Sequence, residues 1–91
     1  MKYTIELTDR AMNVLKKYSK SSPVMAKKIL KLLDDIAEHP REGIGKPETL
    51  KGYNGNVYSR RISGHDRIIY EIFETQIMVS VMSIGGHYDD K

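Results

Sequence analysis

The sequence predicts an α+β domain in which an antiparallel β-sheet carries an N-terminal helical hairpin on one face. A short alternating segment opens the chain, two amphipathic helical segments follow it, and the second half is rich in β-branched residues separated by turn formers. The predicted element order is β-α-α-β-β-β. We expect residues 1–91 to form a single domain.

The first half supplies one strand and two helices. Residues 2–7 alternate as a strand does, and Thr8 is a typical N-cap for the helix that follows. Ser22 and Pro23 suit the cap and first position of a second helix, which we expect to end near His39-Pro40. The apolar stripe of this second helix consists of Met25, Ile29, Leu32, Leu33 and Ile36. We interpret the lysines on the opposite side of the helix as solvated surface.

The second half supplies an irregular segment and three strands. Residues 41–56 contain four glycines and one proline, and loops of this length are often functional. Two strands then meet at a tight turn over residues 63–66, and the last strand covers residues 77–84. Ile68, Tyr70 and Ile72 suit the helix-covered side, which leaves Arg67 on the open side.

Three arginines lie inside strand-like sequence, at positions 60, 61 and 67. If the connection has an odd number of residues, Arg61 lies directly opposite Arg67, where like charges destabilise the strand pair. A bound anion would remove that repulsion, and guanidinium groups fit phosphate oxygens in two-point contacts. The alternative is that the arginines are merely exposed on a solvated face of the sheet and bind no ligand.

Composition narrows the function classes. The chain has a formal net charge of +3 and a sequence pI near 9.2, which permits nucleic-acid contact, and it has no cysteine. It lacks an apolar run of membrane-spanning length and the layout of a secretory signal. It also lacks a His/Cys cluster with metal-ligand spacing. We therefore expect a cytoplasmic protein that does not enter membranes and that uses neither a metal nor a cofactor.

The remaining chemical groups form an acid, base and cation set. Glu48 lies in the irregular segment between Lys46 and Lys51, the arginines lie on the strands, and His87 lies near the end. RNA cleavage requires a base for the 2′-hydroxyl, cations for the charge on phosphorus and an acid for the departing 5′-oxygen. Since the substrate supplies the nucleophile, no metal is required.

Four ordered blocks resemble the Txe/YoeB toxins of the RelE superfamily. They are Gly45-Lys46-Pro47-Glu48-Thr49-Leu50-Lys51, Tyr58-Ser59-Arg60-Arg61-Ile62, Arg67-Ile68-Ile69-Tyr70 and His87-Tyr88. The resemblance implies a twisted antiparallel sheet and an endonuclease that cleaves mRNA at the ribosomal A site. It also implies neutralisation by a YefM/Phd-type antitoxin and operator DNA binding only as the toxin–antitoxin complex. Monomer and homodimer both remain open.

The resemblance also implies roles for individual residues. Glu48 corresponds to the general base, His87 to the general acid, and Arg67 to the group that stabilises the scissile phosphate. We expect the RNA or phosphate contacts at Lys46, Lys51, Arg60, Arg61 and Tyr88. The competing hypothesis is a non-catalytic binder, either an RNA-binding module or a ParE-like inhibitor of gyrase, which would not need the pair of Glu48 and His87.

Overall fold

A computed structural model describes residues 2–86 as two helices packed on one face of a five-stranded mixed sheet. Its strand order is β1-β5-β4-β3-β2. None of the helices in the described range is long and apolar enough to cross a membrane. In chain order the elements are β1 (Thr4–Leu7), α1 (Asp9–Ser21), α2 (Pro23–Glu38), β2 (Glu48–Thr49), β3 (Val57–Arg61), β4 (Asp66–Phe73) and β5 (Met78–Gly86).

The helical hairpin begins and reverses as its sequence predicts. The Thr8 hydroxyl accepts the Ala11 N–H at 3.2 Å, which caps the first turn of α1. Ser22 ends α1 and begins α2, with Pro23 in the first turn of the second helix. The Ser22 side chain makes no capping hydrogen bond, and its N–H instead donates to the Tyr18 carbonyl at 2.8 Å.

The core lies between the hairpin and one face of the sheet. Ile68, Tyr70 and Ile72 of β4 face this core, which confirms the prediction for that strand. A bulge in β5 at Met82 lets Val81 and Ile84 both face inward although they are three positions apart. The helix α2 and the two central strands supply most of the buried cluster, namely Ile29, Leu32, Leu33, Ile36, Ile68, Tyr70, Ile72, Val79, Val81 and Ile84.

The sheet differs from the prediction in two places. Strand β1 pairs with β5 in parallel, from Thr4 beside Met78 to Leu7 beside Val81, so the sheet is mixed and not wholly antiparallel. Alternation along a strand reports which face is buried but not the direction of the neighbouring strand. The irregular segment also contains β2, a two-residue strand paired with β3 that is too short to leave a periodic signal.

Candidate active site

The open face of the sheet carries Arg61 and Arg67 side by side. Five residues separate them, and they are direct partners across the antiparallel β3–β4 pair, as an odd-length connection predicts. The Ile62 N–H donates to the Asp66 carbonyl at 2.8 Å, which makes the next pair along, Arg61 with Arg67, a non-hydrogen-bonded position. Side chains approach each other most closely at such positions, so two positive charges meet on this face.

These two arginines have no anionic partner within the described part of the chain. The ion pairs of residues 2–86 involve other cations, and neither guanidinium donates a hydrogen bond to a protein acceptor there. Arg61 is exposed and Arg67 is partly buried. The repulsion between the two guanidinium groups therefore has to be screened by solvent or by a bound anion.

Glu48 lies on the same face, one strand further toward the edge. It pairs with Ser59, and Ser59 is two residues before Arg61, so all three side chains share one face of β2 and β3. Adjacent strands are about 4.8 Å apart and successive residues of a strand about 3.4 Å apart, which puts the backbone positions of Glu48 and Arg67 roughly 12 Å apart. The carboxylate and both guanidinium groups thus belong to the same face of the sheet.

The two candidate lysines flank β2 and are both exposed. Lys46 adopts a left-handed backbone conformation with φ of 50°, which is uncommon for a residue with a side chain. The Arg61 N–H holds this bend in place by donating to the Gly45 carbonyl at 2.7 Å. Lys51 lies in the turn directly after β2, where the Leu50 N–H donates to the Val57 carbonyl at 3.0 Å.

Arg60 lies on the opposite face, and the structure removes it from the RNA-contacting set predicted from the sequence. Its side chain is 0% exposed and forms a 2.5 Å ion pair with Asp35 of α2. Its Nε donates to the Tyr70 hydroxyl at 3.0 Å. Because strand side chains alternate, Arg60 and Arg61 must point to opposite faces, and only one of them can reach a ligand on the open face.

The remaining donors of Arg60 hold the irregular segment against the helix. They reach three carbonyl oxygens between α2 and β2, those of His39, Glu42 and Ile44. The Tyr70 hydroxyl donates to the Pro40 carbonyl at 2.7 Å in the same segment. This network was not predicted from the sequence. An aspartate at the polar border of α2 looks like any solvated residue until the fold places an arginine beside it.

The electrostatics of this network favour an ionised Asp35. Partial burial alone would raise the pKa of its carboxyl, but the Arg60 guanidinium and the Ile44 N–H outweigh that cost and hold the pKa below its ordinary value. Burial raises the pKa of Tyr70, so its hydroxyl stays protonated and can donate. Asp35 is therefore an acceptor and the Tyr70 hydroxyl a donor at neutral pH.

Two of the predicted site residues, His87 and Tyr88, lie outside the described residues. The described chain reaches Gly86, which pairs with Asp66, and Gly85 pairs with Arg67. Within residues 2–86, no group of three His, Cys, Asp or Glu side chains is arranged to hold a metal ion.

Comparison with known proteins assigns the family. Residues 7–88 match the model of the YoeB-like toxin of bacterial type II toxin–antitoxin systems. The chain belongs to this family. Toxin YoeB of Streptomyces coelicolor is 37% identical to this toxin over 62 residues, which are 68% of this chain and 74% of that protein.

Solved structures agree with the family assignment. A YoeB/ParE toxin from Agrobacterium tumefaciens is 27% identical with a TM-score of 0.86, covering 93% of this toxin and 99% of that chain. The YoeB of Staphylococcus aureus, solved as a dimer and as a YoeB–YefM complex, is 32% identical with TM-scores of 0.83 and 0.81. Both alignments cover 97% of this toxin and 100% of the other chain. The predictions of a Txe/YoeB relative and of a RelE-like α+β fold are thus confirmed.

Proposed function

We propose that this YoeB-family toxin is an endoribonuclease that cleaves mRNA at the ribosomal A site and so inhibits translation. The observation that carries the proposal is the strand register, because Glu48, Arg61 and Arg67 project from three adjacent strands on one open face. A carboxylate beside two guanidinium groups without ion-pair partners suits a phosphodiester with a 2′-hydroxyl beside it.

In the proposed reaction Glu48 accepts the proton of the 2′-hydroxyl, and the 2′-oxygen attacks phosphorus. Arg67 stabilises the charge that builds on the phosphate oxygens, while Arg61, Lys46 and Lys51 hold the RNA backbone. The bond from phosphorus to the 5′-oxygen breaks as His87 donates a proton to that oxygen. The products are a 2′,3′-cyclic phosphate and a 5′-hydroxyl, and no step requires a metal ion.

His87 enters the proposal through its position in the chain. It directly follows Gly86, whose strand partner Asp66 is the neighbour of Arg67. An imidazole titrates near neutral pH, so it can donate a proton under cellular conditions. We propose that Tyr88 helps to shape the same site.

The proposed partners follow the relatives. Since the YoeB of Staphylococcus aureus was solved with YefM and as a dimer, we assign a YefM-type antitoxin and a homodimer to this chain as well. Operator DNA is bound by the toxin–antitoxin complex and not by the toxin alone. We place the protein in the cytoplasm, where its ribosomal substrate is found.

The proposal is tested by comparing Glu48→Gln with Glu42→Gln. Both glutamates are exposed and lie in the segment between α2 and β3, but Glu42 lies outside the paired strands. Removing a general base costs about 10²–10⁴-fold in rate. Expression of the wild type and of Glu42→Gln should arrest growth, and Glu48→Gln should not. Cleavage of ribosome-bound mRNA should continue in chelator and leave cyclic phosphate ends.

Arrest by Glu48→Gln without RNA cleavage would contradict the enzymatic proposal. That outcome would favour the competing hypothesis of a binding toxin, such as a ParE-like gyrase inhibitor. A supercoiling assay with purified gyrase distinguishes the two, because only the binding toxin should reduce supercoiling.

A further inference from the structure

The side chain of Arg41 lies at the start of the irregular segment and reaches the far end of the same segment. Its Nη1 donates to the Gly55 carbonyl at 3.1 Å, and its Nη2 donates to Oδ1 of Asn56 at 3.1 Å. These contacts join residues that are 14 and 15 positions apart in the chain. Glu48 lies in the stretch between them, so Arg41 closes the loop that carries the proposed general base.

Arg41 is itself anchored to the turn between β4 and β5. Both its Nε and its Nη2 donate to one carboxylate oxygen of Glu74, at 3.2 and 2.7 Å. The other oxygen of Glu74 accepts the Tyr3 hydroxyl at 2.7 Å. The hydrogen bonds from Arg41 hold the pKa of the Glu74 carboxyl below its ordinary value, so Glu74 stays ionised at neutral pH. We call Arg41 and its partners Glu74, Gly55 and Asn56 the Arg41 clamp.

Strand β2, which carries Glu48, has little support of its own. It has two residues and lies at the edge of the sheet. Beyond it the Leu50 N–H donates to the Val57 carbonyl at 3.0 Å, and the chain then turns back into β3. A hairpin with so short a ladder is marginally stable and opens locally. Because Gly55 and Asn56 directly precede Val57, the Arg41 clamp closes this turn and limits how far β2 can move away from β3.

Arg41 approaches β3 from the side of the sheet opposite to the open face. Its guanidinium carbon lies 5.7 Å from the centre of the Tyr58 ring. Tyr58 pairs with Tyr70, whose side chain faces the helices, so Tyr58 faces them as well. Since Arg61 and Arg67 lie on the other face, Arg41 influences the open face through the backbone that it holds and not through contact with RNA.

We propose that Arg41 is a positioning residue that fixes the place of Glu48 on the open face. The role of Glu48 rests on the proposed function, whereas the clamp is a property of the fold. A general base must lie within hydrogen-bond reach of the proton that it accepts, and a misplacement of about 1 Å can cost 10²-fold in rate. Arg41 therefore affects the chemical step and not the binding of RNA, which the arginines on β3 and β4 retain.

The test compares Arg41→Lys with the matched control Arg10→Lys on α1, where the arginine is also exposed. Lysine keeps the positive charge, so the attraction for RNA is unchanged, but one ammonium group cannot reproduce the planar set of guanidinium donors. In cleavage of ribosome-bound mRNA, Arg41→Lys should lower kcat about tenfold and change KM by less than about twofold. Arg10→Lys should change neither constant.

Amide hydrogen exchange of the free toxin gives a second measurement, which does not depend on catalysis. The Leu50 and Gly55 N–H groups donate within the β2–β3 turn and should exchange about tenfold faster in Arg41→Lys. Val79, at a fully buried position in β5, should exchange at the wild-type rate, because exposed ion pairs contribute little to global stability. A general loss of stability would instead speed exchange at all three amides.

Wild-type kcat in Arg41→Lys would overturn the proposal, and so would equal acceleration of exchange at the turn and in the core. A raised KM with unchanged kcat would overturn it as well, because that result assigns Arg41 to RNA binding. Failure of the proposed function is distinguishable from these results. It would appear as a wild-type toxin that does not cleave mRNA, while the exchange rates in the β2–β3 turn still respond to Arg41→Lys.

Discussion

The 2.5 Å ion pair between Arg60 and Asp35 joins the third strand to the second helix through an arginine with no exposed surface. Its sequence neighbour Arg61 lies exposed on the other face of the sheet. One residue step therefore separates an arginine that stabilises the fold from one that is free to bind a ligand.

Arg60→Met should lower the free energy of unfolding by about 3–5 kcal/mol, because it leaves Asp35 without its ion-pair partner and three carbonyl oxygens without the Arg60 donor. The matched control is Arg61→Met, which should change stability by less than about 0.5 kcal/mol. Urea unfolding monitored by circular dichroism measures both. Equal losses in the two variants would mean that the buried network does not hold the fold.

The stability contributed by Asp35 should depend on pH in the acid range. Its pKa is lowered in the folded state, so the contribution is fully present above the unfolded value of about 4 and is lost as pH falls through the folded value. The stability difference between wild type and Asp35→Asn should be constant from pH 7 to 5 and shrink below pH ~4. Urea unfolding at several pH values measures it, with Asp34→Asn on the exposed side of α2 as the control. A difference that stays constant at low pH would contradict the assignment.

Gly43→Ala should destabilise the protein more than Gly52→Ala. Both glycines have positive φ, at 125° and 89°, so each alanine carries a conformational cost of about 1–2 kcal/mol. Of the two, only Gly43 would place the added methyl group in collision with the Asp35 carboxylate oxygen, while Gly52 faces open space. Thermal or urea unfolding compares the two variants. A greater loss at Gly52 would show that the segment between α2 and β2 is not held against the Asp35 side chain.

Arg67→Gln should weaken RNA binding without lowering stability. The substitution removes one of two facing positive charges, a repulsion worth about 0.2–1 kcal/mol, while it removes the proposed phosphate contact of Arg67. For a single-stranded RNA, the slope of log affinity against log salt should become shallower by about 0.7. Fluorescence anisotropy at several salt concentrations measures the slope, and Arg10→Gln, exposed on α1, serves as the control. Unchanged RNA binding together with lower stability would assign Arg67 a structural role.

Much of the fold follows from short-range patterns in the sequence. The cap at Thr8, the Ser22-Pro23 break and the inward set of β4 all depend on residues a few positions apart, and each was predicted. The facing of Arg61 and Arg67 follows from the odd length of their connection. The parallel pairing of β1 joins residues that are more than 70 positions apart in the chain, and no local pattern encodes it.

The candidate site was also predictable only as far as short-range patterns and strand register determine it. The residue types for acid–base chemistry and phosphate binding could be read from the chain, and the register brings Glu48, Arg61 and Arg67 to one face. Assigning Arg60 correctly required knowing that Asp35 approaches it from a helix 25 positions away. Alternation places consecutive arginines on opposite faces, and pairing with the inward-facing Ile68 puts Arg60 on the helix side, but its partner Asp35 follows only from the packing of α2.

The position of β5 affects when the toxin can fold during its own synthesis. This strand lies between β1 and β4 in the sheet, yet it follows both in the chain. Until it leaves the ribosome, no strand pairing joins the first strand to the β4–β3–β2 unit, and the core lacks Val79, Val81 and Ile84. Non-local pairing of this kind delays folding. A nascent chain therefore completes the sheet face that carries Glu48, Arg61 and Arg67 only after nearly all of the described domain has emerged.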